Sequence, residues 1–194
     1  MLAVVALVIG LIQRMPAKQR RSGAQAPPTD PFASGDSNAL FGDPRTIRAG
    51  DIVEIHGAPY TVRGSLRYDE GGWTWSTHFL DDAKGSQAWL SVEEDPDLEL
   101  SVWTPLPDAG LEPGPSAVEH GGRRYKLDES GTAKFRSEAT TGLAEQGSVR
   151  YYDYEAADGA MLAFESYEGA EWEASTGENL NQHALRIYPM SQNG

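Results

Sequence analysis

The stretch that decides the fold is Trp73-Thr74-Trp75-Ser76-Thr77-His78-Phe79-Leu80. Trp73, Trp75, Thr77 and Phe79 alternate with Thr74, Ser76 and His78, a period of two that puts every second side chain on one face of a pleated strand. A helix would scatter these rings around its circumference. The stretch predicts a β-strand with one aromatic face.

Turn signals lie on both sides of it. Asp69-Glu70-Gly71-Gly72 precedes it and Asp81-Asp82-Ala83-Lys84-Gly85 follows it, both rich in residues that reverse a chain. Upstream, Ile52 to His56 and Tyr60 to Arg63 flank a Gly57-Ala58-Pro59 turn and predict a hairpin, with Leu66-Arg67-Tyr68 extending its second arm. Downstream, Ala88 to Val92 and Leu98 to Trp103 predict two more strands, split by Glu93-Glu94-Asp95-Pro96-Asp97. Pro105, Pro107, Pro113 and Pro115 mark a connector.

The second half echoes the first. Val53-Glu54, Gly57, Tyr60 and Val62 recur as Val118-Glu119, Gly122, Tyr125 and Leu127, each 65 positions later. Asp81-Asp82 through Gly85 into Trp89-Leu90-Ser91-Val92-Glu93 resembles Tyr154 through Gly159 into Met161-Leu162-Ala163-Phe164-Glu165, read with a two-residue deletion. The expected fold is therefore all-β: a duplicated, curled antiparallel β-meander forming a barrel-like or sandwich domain over residues 49–194, with repeats near 49–107 and 116–190. No stretch after residue 48 has the pattern of a long amphipathic helix.

Ahead of this domain, Met1 to Ile12 carries no charge, and Arg14, Lys18, Arg20 and Arg21 follow at once. A secretory signal would place basic residues before the apolar run, and none stand there. Residues 1–21 read as a short hydrophobic helix and membrane anchor, with the basic side and all that follows in the cytoplasm. Twelve helical residues reach about 18 Å against a hydrocarbon core of about 30 Å, so this anchor needs snorkelling basic side chains or a thinned bilayer. Residues 22–48, rich in Pro, Gly, Ser and Ala, read as a flexible linker in which Leu40 and Phe41 tuck one helical turn against the domain.

Charge narrows the partners. Of 16 basic and 29 acidic residues, six basic and three acidic precede residue 49, leaving 10 against 26 in the domain. Such a surface repels phosphate backbones, so nucleic acid is not an expected partner. The absence of cysteine removes disulfides, thiolate metal sites and cysteine nucleophiles. The histidines, His56, His78, His120 and His183, form no metal-binding motif, and no nucleophile elbow, phosphate loop or dinucleotide fingerprint occurs. No catalytic residue and no cofactor are expected.

The candidate ligand or cation-binding residues are Trp73, Trp75, Asp81, Asp82, Glu93, Glu94 and Asp95. The acids flank one proposed hairpin, whose two loops would converge on a cation such as Ca²⁺. The Trp73/Trp75 face would cage a polyamine or another organic cation. The plainer alternative is that the acids are solvated and the aromatic face is barrel core.

Ala49-Gly50-Asp51-Ile52-Val53-Glu54-Ile55, Tyr60 to Leu66, Trp89 to Asp95, Tyr125 to Asp128 and Tyr151-Tyr152-Asp153-Tyr154 together resemble the bacterial domain-of-unknown-function family 4178 (DUF4178), across residues 47 to 189. The layout looks like actinobacterial members with an N-terminal apolar segment. The resemblance implies no established activity and no catalytic residues. It also implies a genomic setting near small membrane proteins and polyamine-synthesis enzymes. The functional expectation is a membrane-tethered interaction or ligand-sensing module working with a small membrane protein. A cation- or polyamine-binding domain and a hydrolase of unknown type are the alternatives.

Overall fold

The computed structural model describes residues 41–94 and 96–190. The apolar segment, most of the linker, Leu40 and Asp95 lie outside the described residues. Eleven strands form one antiparallel sheet: β1 (Ile52–Ile55), β2 (Ala58–Glu70), β3 (Trp73–Asp81), β4 (Gln87–Glu94), β5 (Leu98–Pro105), β6 (Ala117–His120), β7 (Arg123–Ala139), β8 (Gln146–Ala156), β9 (Met161–Tyr167), β10 (Glu173–Asn179) and β11 (Leu185–Tyr188). Their order is β11-β1-β2-β3-β4-β5-β10-β9-β8-β7-β6, and β2 also pairs with β7. That extra ladder closes β2-β3-β4-β5-β10-β9-β8-β7 into an eight-stranded barrel. Closure removes the open edges that a sheet of these strands would otherwise present.

The halves repeat strand for strand, β1–β5 against β6–β10. In the first hairpin Val53 faces Tyr60 and Ile55 faces Ala58; in the other, Val118 faces Tyr125 and His120 faces Arg123. Bulges break register between Val62 and Gly64 and between Leu127 and Glu129, again 65 positions apart. Each bulge lets one long strand serve two purposes, pairing outside the barrel before it and within the barrel after it.

The ladders correct the second part of the sequence echo. Leu80 faces Ala88 as Tyr154 faces Leu162, so the β3–β4 and β8–β9 connections have equal length and no residues are deleted. Trp89 corresponds to Ala163, not to Met161. The deletion inferred from sequence arose from matching Leu90 with Leu162 and Glu93 with Glu165, identities that ladder geometry does not support.

Three apolar clusters follow from strand alternation. Leu66, Tyr68, Trp75, Phe79, Trp89, Trp103, Phe135, Val149, Tyr151 and Tyr167 fill the barrel. Val62, Leu80, Leu90 and Leu100 on the outer face of the first half are covered by Ile47, Val53, Leu185 and Ile187. Tyr154, Leu162 and Phe164 on the outer face of the second half lie against Val118, Leu106 and Leu111. The strand β11, beyond the tenfold strand pattern, therefore completes the first half.

Phe41 packs against the domain as expected, whereas residues 42–48 depart from the linker expectation. Phe41 packs edge-on to His183 with ring centroids 5.7 Å apart, and the Arg186 guanidinium lies over its ring. Asp43 caps a 3₁₀ turn, Pro44–Thr46, by accepting from the Arg45 N–H. Ile47 is fully buried. This strap belongs to the domain because Ile47 would otherwise leave apolar surface of β2–β5 in water, at about 25 cal/mol per Å².

The closing seam is tight at Gly64, where a Cβ would lie 2.5 Å from the Thr140 carbonyl oxygen and 2.8 Å from that of Glu138. Backbone cannot yield there without opening the β2·β7 ladder. Gly64→Ala is expected to destabilise the domain by about 2–3 kcal/mol, read as a lower urea midpoint. A midpoint equal to wild type would show that the seam is not closed in this way.

Candidate functional site

Trp75, Thr77 and Phe79 point into the barrel, and their ladder partners point there too: Tyr68, Leu66 and Gly64 on β2, and Ser91 and Trp89 on β4. Tyr68 stacks on Trp75 at 4.8 Å between centroids, and the Tyr151 edge meets Trp75 from across the interior at 6.5 Å. Trp103 lies flat over Gly177, whose missing side chain makes room for the ring. The aromatic face of β3 is therefore barrel core.

That interior is acidic. Glu93, Asp153 and Glu165 are 5%, 3% and 1% exposed, whereas no Lys or Arg is buried among the described residues. The half-buried Trp73 at the barrel rim donates its indole N–H to Glu93 at 2.8 Å. Opposite, the Tyr151 hydroxyl donates to Glu70 at 2.5 Å, and Thr132 N–H donates to the other Glu70 oxygen at 3.1 Å. Burial first, then the bond to Glu70 and the neighbouring Glu129 and Asp153 charges, raises the Tyr151 hydroxyl far above the usual tyrosine range. Tyr68 and Tyr167, whose hydroxyls meet at 2.8 Å, are likewise raised by burial and then by Glu165. All three phenols stay neutral and serve as hydrogen-bonding groups. The indole N–H groups of Trp75 and Trp103 and the Ser91 hydroxyl, all buried, have no hydrogen-bond partner among the described residues.

The structure divides the candidate acids. Glu93 joins Trp73 and Trp75 at the interior, while Glu94, the next residue, turns outward and is gripped by Arg45 through both oxygens at 2.7 Å. The Arg45 hydrogen bond holds the Glu94 carboxyl below its ordinary range. Asp81 and Asp82 stand at the other end of the β3–β4 hairpin, where Asp81 faces Gln87, whereas Ser76 already faces Val92. Seven residues of strand, about 23 Å, separate them from the Glu94 end. The two acidic loops do not converge.

Asp81 accepts from Ala83 N–H at 2.7 Å, and Asp82 accepts from Lys84 and Ser86 N–H at 2.7 and 2.9 Å. The Lys84 N–H in particular lowers the Asp82 pKa. These acids build the turn, as Asx side chains do. Among the described residues no group of three or more His, Asp or Glu is placed to hold a metal ion, so the proposed Ca²⁺ cluster is not formed there.

Sequence reasoning passed over Asp153, Glu165 and Glu70. In the sequence Asp153 stands within an aromatic motif and Glu165 echoes Glu93, and neither position marks itself as inward-facing. The usable signal was alternation on β8 and β9, where Tyr151, Asp153 and Tyr154 straddle two faces and Ala163 and Glu165 share one.

His78 is fully buried on the outer face of β3. Its Nδ1 lies 2.8 Å from the Ser65 hydroxyl and its Nε2 lies 3.4 Å from that of Ser76. Burial, and then the Arg67 charge, pushes its pKa down to about 3. It is a neutral, hydrogen-bonded core residue.

Taken by architecture, this is a closed eight-stranded antiparallel barrel with an acidic and aromatic interior. Residues 48–182 match the profile described as Domain of unknown function (DUF4178), and the chain belongs to that family. It is 35% identical to an uncharacterized protein of Mycobacterium bovis, over 96% of this chain and 90% of that one, and equally to an uncharacterized protein of Mycobacterium tuberculosis. An uncharacterized protein of Aquifex aeolicus is 26% identical over 70% of this chain and 78% of its own length. No solved structure matches.

His78 sets a pH dependence of stability. Its folded pKa lies below the unfolded value of about 6.5, so its contribution is whole above that pH and is lost as pH falls toward 3. The unfolded chain takes up a proton in that window and the folded chain does not, with a slope approaching 1.4 kcal/mol per pH unit, about the limit for one group. His78→Gln is expected to flatten the fall in urea midpoint between pH 6 and 4. An unchanged pH profile in that variant would remove His78 as the cause.

Proposed function

We propose that this protein is a non-catalytic ligand-binding module whose barrel takes a small organic cation of the polyamine type, held at the cytoplasmic face of a membrane. The supporting observation is the lining: Glu93, Asp153 and Glu165 are buried, with no Lys or Arg buried among the described residues. Carboxylates in an enclosed site favour a cation far more than the same groups in water, because the surrounding dielectric is low. Tyr68, Trp75 and Tyr151 offer ring faces for the methylene segments and the charge of an alkylamine, and Ser91 offers an acceptor to an ammonium N–H. Trp73 and Glu70, half-buried at the rim, mark the side of approach.

Sequence supports the tether: residues 1–12 are uncharged and four basic residues follow before residue 22. Among the described residues no helix is long and apolar enough to cross a membrane. The family resemblance adds a small membrane protein as the partner that would read out the bound state.

Spermidine titrated into the full chain in 150 mM NaCl is expected to raise the unfolding midpoint saturably, by about 2.7 kcal/mol at 100 times its Kd. Glu93→Gln with Asp153→Asn should abolish the shift. A shift absent at this salt, or retained by the double variant, would overturn the barrel as the binding site. Deleting residues 1–21 is expected to move the protein from the membrane pellet to the supernatant. Full-length protein already in the supernatant without detergent would overturn the tether.

A further inference from the structure

Outside the barrel, β2 and β7 bring Arg67 and Arg136 directly opposite one another across the closing seam. Like charges in that relation destabilise a ladder. Glu138 relieves them from beside the pair, one oxygen reaching Arg67 Nε at 3.2 Å and the other Arg136 Nη2 at 2.8 Å. Arg67 Nη2 donates to the Ile47 carbonyl at 3.2 Å, anchoring the strap. Among the described residues, those contacts leave Arg67 Nη1, Arg136 Nε and Arg136 Nη1 without an acceptor.

Both arginines line a cavity of about 580 Å³, which Arg45 borders from the strap and to which Thr74 and Ser76 contribute hydroxyl-bearing side chains. Arg45 is already committed to Glu94 and Asp43, so it supplies field more than donors. The Arg136 side chain is 64% exposed and within reach of solutes. Two acids line it as well, Glu94 paired with Arg45 and Glu93 accepting from the Trp73 indole, and on a domain with this excess of acid the two further guanidinium groups are a local exception.

We propose that this outer groove binds a phosphate or phosphate-monoester group, seated between Arg67 and Arg136. Planar guanidinium forks match the oxygens of such a group, and a dianion between the two arginines replaces their repulsion with two attractions. Arg67 and Arg136 lie on the outer face, alternating with the inward-facing Leu66, Tyr68 and Phe135 along their strands, and the cavity meets the acidic interior at the rim, where Tyr68, Trp75 and Glu93 also line it. The two readings are told apart by variant, because Arg136→Gln leaves Glu93 and Asp153 in place.

The test uses the full chain, with inorganic phosphate, glycerol 3-phosphate, and phosphatidylcholine vesicles with and without phosphatidic acid, all in 150 mM NaCl. Saturable binding is expected to weaken about tenfold in Arg136→Gln, an exposed position whose loss leaves the fold intact. In Glu138→Gln, where the internal competitor is neutral, it is expected to tighten. A response to the soluble phosphates identifies a free phosphate group as ligand. A response to phosphatidic acid alone, lost in Arg136→Gln, identifies a lipid headgroup. Titration curves that Arg136→Gln leaves unchanged, or no response to any of the probes, would overturn the site.

Discussion

The β2·β7 ladder is the constraint on which the rest of the structure depends. Without it, two five-stranded meanders would share only the β5·β10 pairing, and β2 and β7 would leave their inner halves without that ladder. Closing the seam satisfies those backbone groups and encloses the aromatic cluster in the same step. It also creates the acidic interior, because Glu93 on β4 and Asp153 and Glu165 on β8 and β9 share one enclosure only when the ring is complete. The bulges after Val62 and Leu127 make the closure possible, letting each long strand bend from an outer layer into the barrel wall.

Most of the first half was legible in the sequence because its strands are locally self-declaring. Trp73 to Phe79 alternates cleanly, and the Gly71-Gly72 and Asp81–Gly85 turns bracket it with residues chosen for their backbone preferences. β7 was not legible in full. Its middle, Asp128-Glu129-Ser130-Gly131-Thr132, carries weak strand formers, and it is extended because it pairs with β8 and, further along, with β2. The 65-residue echo correctly marked the paired hairpins. Its continuation failed where identity of residue type was matched instead of ladder position.

The candidate site shows the same division. Trp73, Trp75 and Glu93 came together as members of one inward face, whereas Asp81, Asp82 and Glu94 did not. Adjacency in sequence misleads on a strand, since Glu93 and Glu94 must face opposite ways. Proximity of two loops on paper says nothing about which end of a hairpin each occupies. The acids contributed by β8 and β9 become visible only once the register is known, because no local motif distinguishes an inward carboxylate from a solvated one.

Both ends of the described domain emerge side by side. Ile52 at the start of β1 pairs with Tyr188 at the end of β11, and Met190 N–H bonds to Asp51 at 2.9 Å. A force pulling those two ends apart would load this short antiparallel ladder one rung at a time, as a zipper opens, and would leave the barrel wall unstressed at first. The first rungs to part also hold Val53 and Ile187 over the outer face of the first half, so tension would uncover Val62, Leu80 and Leu90 before it disturbed the aromatic centre.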